Sequence, residues 1–511
     1  MNYRIFTKKR KAKKNPVTPE APSPELADLE LSSENVQFVL GKSNDIVFAE
    51  QYINGKKELK ATLVFVDGLI NSKTVSDDIL KPLLQQEQLS NARSGKELVD
   101  MILHGVVYYA SRKKRNTLGE LINDILSGSA ALIFDGEKTA LTFDIKGFDK
   151  RSISEPTGEN VTKGSKDSFV ETLRVNTTLV RRKIKTKNLI IEGSVVGKQS
   201  LTLVSIVYMD GITNQHIITE VKKRLDRIDI DGVITTGCIE EYIIDSPYTI
   251  FPQILYTERP DRFCIHILEG RVGLLIDGLP LAFIIPATIN TFLQSPEDYA
   301  QNYIVSTSLR VLRYILIAIT LLLPAFYISI VTFHLEMMPT ELALSIAASK
   351  AGVPFPSFTE VLFMLISFEI LLEAGLRLPR NIGQAVSIVG ALVIGQAAVQ
   401  AKLVSPAVVI IVAITGIAGF TMPSQDLSNA LRFSRFVFSI LASIMGLFGF
   451  TIGIILLLLH LCSMETYGVP YLSPFVANEN WKIKDTIFRF PLFTLKKRPT
   501  DLKTTNQKRQ K

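Results

Sequence analysis

The sequence predicts an α/β N-terminal region of two related subdomains, followed by an all-α polytopic membrane domain. Two observations support this. The first 300 residues are polar and charged whereas residues 311–462 are mostly apolar, and the polar part contains an internal repeat. A chain of 511 residues is also too long for one ordinary domain. We expect five segments: a basic, Pro-rich disordered arm (1–30), soluble subdomains (31–147 and 148–300), a membrane domain (301–465) and a basic C-terminal tail (466–511).

Charge and cysteine content narrow the functional classes. The net charge of +8 comes largely from basic runs at the two ends of the chain. Such runs beside apolar segments are typical of cytoplasmic, lipid-facing sequence, and without interleaved aromatic residues they do not indicate nucleic-acid binding. The three cysteines are scattered, so neither a disulfide framework nor a metal site is expected. No apolar signal segment follows Met1, so we expect the soluble part to stay in the cytosol.

The repeat is marked by Asp-Gly pairs. Asp135-Gly136 and Asp277-Gly278 each lie in the middle of an apolar run, at an offset of 142 residues. Asp67-Gly68 and Asp210-Gly211 end strand-like runs at an offset of 143. Since Asp-Gly tolerates the positive φ of tight turns, the first two pairs predict β-hairpins, and each of the other two is predicted to lead from a buried strand into a helix. A helix-like segment precedes the first strand-like run of each repeat, around Ser33–Tyr52 and around Ser168–Lys185.

Four apolar runs are predicted to be membrane spans, because each is long enough to cross most or all of a bilayer. They are Val311–Phe333, Asn381–Gln400, Pro406–Phe420 and Phe436–Leu461. The second carries small residues at four-residue spacing, which predicts a face where another helix packs closely. The members of that face are Gly383, Ser387, Ala391 and Gly395. In the last run, Gly449 and Gly453 repeat the same spacing.

A fifth segment, Thr359–Gly375, has ambiguous membrane character. Its 11 apolar residues favour insertion by about 5 kcal/mol, whereas its three glutamates cost about 8 kcal/mol. We therefore expect it to pack inside a bundle, to pair its charges or to form a partial helix. Four spans would put the tail on the side of the soluble domain. Five spans would put the tail on the opposite side, and would put on the side of the soluble domain the arginines Arg377, Arg380, Arg432 and Arg435. The positive-inside rule therefore does not choose between four and five spans.

The charges of this segment are the candidate functional residues. Glu369, Glu373 and Arg377 are spaced i, i+4 and i+8, so they share one helix face and can pair in sequence. Ionisable residues in membrane sequence usually face a bundle interior or a water path. We expect Glu360, Glu369, Glu373 and Arg377 to contribute to an ion path or its gate. The alternative is that Arg377, or a cation of another subunit, neutralises the glutamates as structural pairs.

No catalytic set is found in the sequence. GSVVGKQS at residues 193–200 resembles a phosphate-binding loop, but it is one residue short and has Gln where Ser or Thr should follow Lys. No nucleophile-elbow serine motif is present, and the five histidines lack ligand spacing. The expectation is a protein that is not an enzyme and has no cofactor or metal.

Several strings resemble those of a known family. They are SEPTGE at Ser154–Glu159, TERPDR at Thr257–Arg262, SPEDY at Ser295–Tyr299, FHLEMMPTELALSIAASKAGVPFPS from Phe333 and YGVPYLSPF at Tyr467–Phe475. The chain resembles the A subunits of GerA-type spore germinant receptors over about residues 140–500. It departs from their pattern at NVTKGSKDSF and at Leu372, where a polar residue is common.

This resemblance implies a nutrient receptor in the inner membrane of a bacterial spore, with its N-terminal domain on the core side. The family works with a transporter-like B subunit, which generally holds the nutrient pocket, and with a lipoprotein C subunit. The A subunit is viewed as a homo-oligomeric, channel-like part embedded in lipid, whose activity lets ions leave and ends dormancy.

Two other functional classes compete with an ion-conducting or signal-transducing subunit. A secondary transporter could use Glu369 or Glu373 for proton coupling, but such transporters commonly show inverted repeats among their spans. The repeat seen here lies in the soluble part, which favours the receptor. A cytosolic scaffold with a membrane anchor would not need intramembrane carboxylates and ranks last.

Overall fold

The computed structural model describes residues 29–53, 59–86, 89, 92, 94–106, 111–147, 156, 158–159, 161, 163–377, 393–476 and 485–510. The chain divides into two compact units. The first is Met1–Lys150 with Ile184–Lys187, and the second is Arg151–Lys183 with Asn188–Lys511. The predicted arm at residues 1–30 lies almost wholly outside the described residues.

The first unit is built on an antiparallel sheet of five strands in the order β1-β2-β4-β5-β3. The strands are β1 Ile46–Tyr52, β2 Lys60–Val66, β3 Arg112–Arg115, β4 Ala130–Phe134 and β5 Ala140–Phe143. The helices are α1 Ser33–Leu40, α2 Ser72–Thr74, α3 Lys81–Gln85, α4 Gly95–Met101 and α5 Leu118–Leu126. A π-helical turn, Val75–Leu80, joins α2 to α3, and another, Ile102–Val106, follows α4.

The sheet of the first unit is covered on both faces. Leu132 packs in one apolar cluster with α3 and α4, whereas Ala131 and Ile133 pack in a second cluster with α1 and α5. Side chains of a strand alternate between faces, so a strand covered on both sides is apolar throughout. This explains why every residue of β4 is buried.

The second unit begins with a sheet of the same strand order, β6-β7-β9-β10-β8. The strands are β6 Leu189–Val196, β7 Thr202–Met209, β8 Leu255–Thr257, β9 Val272–Ile276 and β10 Ala282–Ile285. The helices are α6 Leu173–Lys183, α7 Gln215–Asp226, α8 Gly237–Ile243, α9 Pro260–Leu268, α10 Ile289–Leu293 and α11 Glu297–Ala300. Strands β4 and β9, and helices α5 and α9, are each related by the predicted offset of 142 residues.

The predicted Asp-Gly hairpins are confirmed. Asp135-Gly136 joins β4 to β5, Asp277-Gly278 joins β9 to β10, and both glycines have positive φ. The predicted helix around Ser33–Tyr52 is wrong beyond Leu40, because the amide of Gly41 closes the last helical turn and β1 begins at Ile46. The β-branched and aromatic residues of that later stretch instead pair with β2.

From Tyr303 to Ser463, most of the described residues of the second unit are helical. The helices of this part are α12 Tyr303–Phe333, α13 Thr340–Lys350, α14 Ser357–Arg377, α15 Pro406–Phe420 and α16 Gln425–Ser463, and residues 393–400 are also helical. Within the described ranges, α12 and α16 are long and apolar enough to cross a membrane, and α15 is a shorter apolar helix. After α16 the chain forms a small hairpin of β11 Glu465–Thr466 and β12 Val469–Pro470. It then packs on the part of the unit built from β6–β10 and α6–α11, which we call the second sheet region.

Helix α16 is a hairpin of two antiparallel arms and not one rod. Gly446 has φ +60° and ψ −138°, which ends the first arm. A Cβ on Gly449 would lie 2.1 Å from the main-chain oxygen of Leu441, and one on Gly453 would lie 3.0 Å from the Phe438 ring. Residues 15 apart touch only if the chain folds back. The prediction of one unbroken span at residues 436–461 is therefore wrong, because Gly449 and Gly453 face the other arm of their own hairpin.

We predict that Gly449→Ala destabilises the protein. The added methyl would overlap the Leu441 carbonyl, and overpacking of this kind costs about 1–3 kcal/mol, more than the helix propensity gained. The melting temperature of the full chain in detergent measures the effect. Gly419→Ala is the matched control, since its Cβ would meet Thr320 at an ordinary 3.7 Å. Equal melting temperatures for the two variants would contradict the hairpin packing.

Candidate functional site

The first acidic residue of α14, Glu360, is fully buried. Its carboxylate accepts a hydrogen bond from the amide of Ser405 at 2.7 Å, just before α15 begins, and lies 3.5 Å from the Lys350 ammonium at the end of α13. Helix N-termini attract negative charge, so Glu360 sits where both its own helix and α15 stabilise it. One buried carboxylate thus holds three helices together.

Glu369, two turns further along α14, forms ion pairs with two arginines of α16. Arg432 and Arg435 both donate hydrogen bonds to its carboxylate. The side chain of Arg435 is only 1% exposed, so its charge depends on this partner. In the sequence, these arginines were interpreted only as signals of membrane orientation. Their spacing of three residues puts both on one helix face, a signal that could have suggested a shared partner.

Glu373 and Arg377 pair with each other, as their spacing predicts, with 2.8 Å between the closest charged atoms. Unlike the other charges of α14, this pair is open: the side chains are 62% and 80% exposed. The four candidate residues therefore separate into two groups. Glu360 and Glu369 are held by partners from other helices, whereas Glu373 and Arg377 present charge at the surface of the single chain.

The predicted small-residue face is described only at its end. Gly383, Ser387 and Ala391 lie outside the described residues. A Cβ on Gly395 would lie 3.4 Å from Cγ1 of Val409, so this glycine packs against α15. The wider helix–helix face stays a prediction.

A buried charge cluster lies where α12 begins. Asp298 of α11 accepts hydrogen bonds from Arg310 at 2.9 Å and from Arg313 at 2.8 Å on both carboxylate oxygens. Arg310 also binds the Asp485 carboxylate at 2.8 Å, and the hydroxyl of Tyr299 donates to the other oxygen of Asp485 at 2.9 Å. Burial raises the pKa of Asp485, with Arg310 acting against this effect. We call these residues the helix joint.

The helix joint was missed by sequence reasoning, which treated Arg310 and Arg313 as a positive flank of the first span. Their aspartate partners lie 12 to 175 residues away in the chain, too far for a local pattern to show. The joint fixes the first turns of α12 both to the second sheet region and to the returning C-terminal segment. The position of α12 is therefore tied to both of these parts.

Two of the strings that resemble the known family, SEPTGE and TERPDR, meet in one hydrogen-bond network. Glu159, from the first string, accepts a hydrogen bond from Thr257 at 2.6 Å and pairs with Arg262, both from the second string. Arg259 donates to Asp261 at 2.7 Å and to the main-chain oxygen of Glu159. These contacts hold the segment at Glu159 against the segment at Thr257–Arg262.

Comparisons with known proteins place the chain among spore proteins. A family model described as "Bacillus/Clostridium GerA spore germination protein" matches residues 34–501. The chain is 40% identical to spore germination protein KA of Bacillus subtilis over 92% of its length and 86% of that protein. It is 39% identical to spore germination protein B1 of the same organism, covering 93% and 97%.

A solved structure, the N-terminal domain of the A subunit of the Bacillus megaterium spore germinant receptor GerK3, is also similar. Its sequence is 29% identical, and the match covers 50% of this chain and 93% of that one with a TM-score of 0.39.

The ion pairs of α14 predict unequal effects of two matched substitutions. Glu369→Gln leaves Arg435 buried without a carboxylate, which typically costs about 3–5 kcal/mol. Glu373→Gln breaks only an exposed pair and should change stability little. Melting temperatures of the two purified variants, compared with the parent chain, measure the difference. If Glu369→Gln were as stable as Glu373→Gln, the buried pair would not hold α14 against α16.

Proposed function

The chain belongs to the GerA family of spore germination proteins, and on this premise we propose that it is the A subunit of a nutrient germinant receptor in the spore inner membrane. The named relatives are spore germination proteins, which supports a role in germination. In this proposal the chain acts with a transporter-like B subunit and a lipoprotein C subunit, and it has no catalytic step of its own.

We further propose that the helical part crosses the membrane several times, with both ends of the bundle defined by contacts. At one end, α12 starts at the helix joint, and α16 finishes with His460 2.8 Å from the hydroxyl of Thr249. At the other end, Gly446 lies against Phe333, the last residue of α12. A straight helix as long as α16 would measure about 58 Å, twice the hydrocarbon thickness, whereas each arm of about 25–30 Å fits it.

The α16 hairpin supports an orientation that fits both sets of basic residues. Helix α14 runs from Glu360, near the α13 end, towards Arg377, and it meets Arg432 in the first turns of α16. With α16 folded back, these arginines and the basic tail can all lie on the side of the soluble region. This arrangement satisfies the positive-inside rule without choosing between the two sets of charges. Neither four nor five spans achieves that.

Cysteine labelling tests this topology. In a background without Cys238, Cys264 and Cys462, we predict that Met445→Cys, beside the Gly446 turn, reacts with an impermeant maleimide applied to intact cells. Gln507→Cys in the tail and Lys198→Cys in the soluble region should react only after permeabilisation, because they share the other side. Labelling of Gln507→Cys in intact cells together with Met445→Cys would contradict the hairpin topology.

The open pair of α14 supports an ion-conducting, oligomeric form. Glu373 and Arg377 extend from the end of a helix that otherwise packs against α15 and α16, at the edge of the proposed bundle on the side of the soluble region. In an assembly of several copies, the same pair would repeat around an axis and meet water or a neighbouring subunit. Rings of carboxylates favour cations in pores. This exposed pair is the observation that carries the proposal of an ion path, with Glu369 and Glu360 holding the helix in place.

We predict that Glu373→Gln changes monovalent cation release from spores, either the rate after the triggering nutrient is added or the resting leak. The substitution keeps the shape of the side chain but removes one charge from each subunit of the proposed ring. Ion release and receptor level are measured in the same spores. Glu241→Gln, an exposed carboxylate of the soluble region, is the control. Normal receptor level with unchanged release in Glu373→Gln would reject the ion path.

A further inference from the structure

A cavity of about 260 Å³ lies between the second sheet region and the C-terminal segment of the same unit. Its wall contains five basic and three acidic side chains, together with threonine, serine and amide groups. The residues that matter here are Glu269, Arg271, Asp485, Lys496, Lys497 and Asp501. A cavity of this size holds a small polar molecule and not a large ligand.

Arg271 is the unusual member of this wall. It is 4% exposed, and one terminal nitrogen donates to the main-chain oxygen of Pro286. Its Nε is buried and has no hydrogen-bond partner among the described residues. Burial lowers the pKa of Arg271, with Glu269 and Asp501 acting against this effect. A buried guanidinium normally uses its N–H groups, so an unused one on a residue that lines a cavity points to a missing acceptor.

The acidic side chains of the wall are already engaged. Asp485 is bound by Arg310 and Tyr299 in the helix joint, and Asp501 accepts from the hydroxyl of Ser473 at 2.9 Å. Glu269 lies 3.7 Å from Arg509. Burial holds the pKa of the neighbouring His266 at about 4, so that imidazole is neutral near pH 7.

The basic groups at the tail side of the wall remain available. Lys496 and Lys497 are exposed, and within the described part of the chain their ammonium groups make no ion pair or hydrogen bond. The charged groups of the wall that lack a partner among the described residues are therefore basic, namely Nε of the buried Arg271 and the exposed Lys496 and Lys497. Clustered donors of this kind bind carboxylate and phosphate groups.

We propose that this cavity binds a small oxyanion, with Arg271 Nε as the buried donor and Lys496 and Lys497 closing the mouth. The proposal goes beyond the receptor function and does not depend on it. Carboxylate and phosphate share the required chemistry, whether they come from a free solute or from a phospholipid headgroup.

An anion in this cavity would act next to the helix joint. The main-chain oxygen of Asp485 accepts hydrogen bonds from Gln294 at 2.7 Å and from Arg310 at 3.1 Å, and both Asp485 and Gln294 line the cavity. Negative charge placed in the cavity repels the Asp485 carboxylate that lines it. A bound anion therefore favours an arrangement of the helix joint in which Asp485 lies further from the anion. A ligand that binds one arrangement more tightly than another shifts the population towards it, as an effector does.

The test uses the purified full chain in zwitterionic detergent, titrated with sodium phosphate against sodium chloride at equal ionic strength. Calorimetry and melting temperature both report binding. We expect saturable binding of phosphate, weakened at least tenfold by Arg271→Gln and several-fold by the double variant Lys496→Gln, Lys497→Gln. Lys508→Gln removes a charge from the same tail outside the cavity wall and should leave binding unchanged.

Two further measurements distinguish a lipid headgroup from a free solute and keep the test decisive if one variant does not fold. In nanodiscs of phosphatidylglycerol, a headgroup occupant would abolish the response to phosphate that phosphatidylcholine nanodiscs retain, whereas a free solute would bind in both. If Arg271→Gln does not fold, the exposed lysine double variant decides alone. Phosphate that binds no better than chloride, or equally well to the variants, overturns the proposal.

Discussion

The carboxylate of Asp298 is the point on which the second unit depends. It is almost fully buried and binds Arg310 and Arg313 from the first turns of α12. A buried charge without partners costs several kcal/mol, so the arginines cannot turn away without a large loss. Because Arg310 also binds Asp485, the same contact fastens the chain after the helical bundle to the chain before it. The bundle thus leaves and re-enters the soluble part at one place.

The same principle orders the helices themselves. Glu360 is matched by Lys350 and by the start of α15, and Glu369 is matched by Arg432 and Arg435. In the proposed membrane setting, apolar helices gain little from one another by hydrophobic burial, so paired polar groups and small-residue contacts select which faces meet. These pairs give α14 a unique position although its composition alone does not favour insertion. The charges of Glu373 and Arg377 are the ones on α14 that this packing leaves exposed.

The sequence was sufficient where structure depends on neighbours along the chain. The Asp-Gly pairs at Asp135 and Asp277 specified both hairpins, and the Glu373–Arg377 pair followed from its spacing. It was insufficient where distant residues decide. Nothing local distinguishes Gly446, which turns the chain, from Gly449, which only allows close packing. The partners of Glu369 and Arg310 come from other elements, and a single sequence carries no record of such pairings.

The return of the chain has a consequence for the order of biosynthesis. Tyr467 lies in the apolar core of the second sheet region, its ring 4.1 Å from the Arg224 guanidinium, and the amide of Thr505 bonds to Ile212. Ribosomes make these residues after the described helices of the bundle. The second sheet region can therefore complete its core only when the helical part has been made and the tail has folded back. A chain truncated before that stage leaves an open apolar surface, of the kind that chaperones and proteases bind.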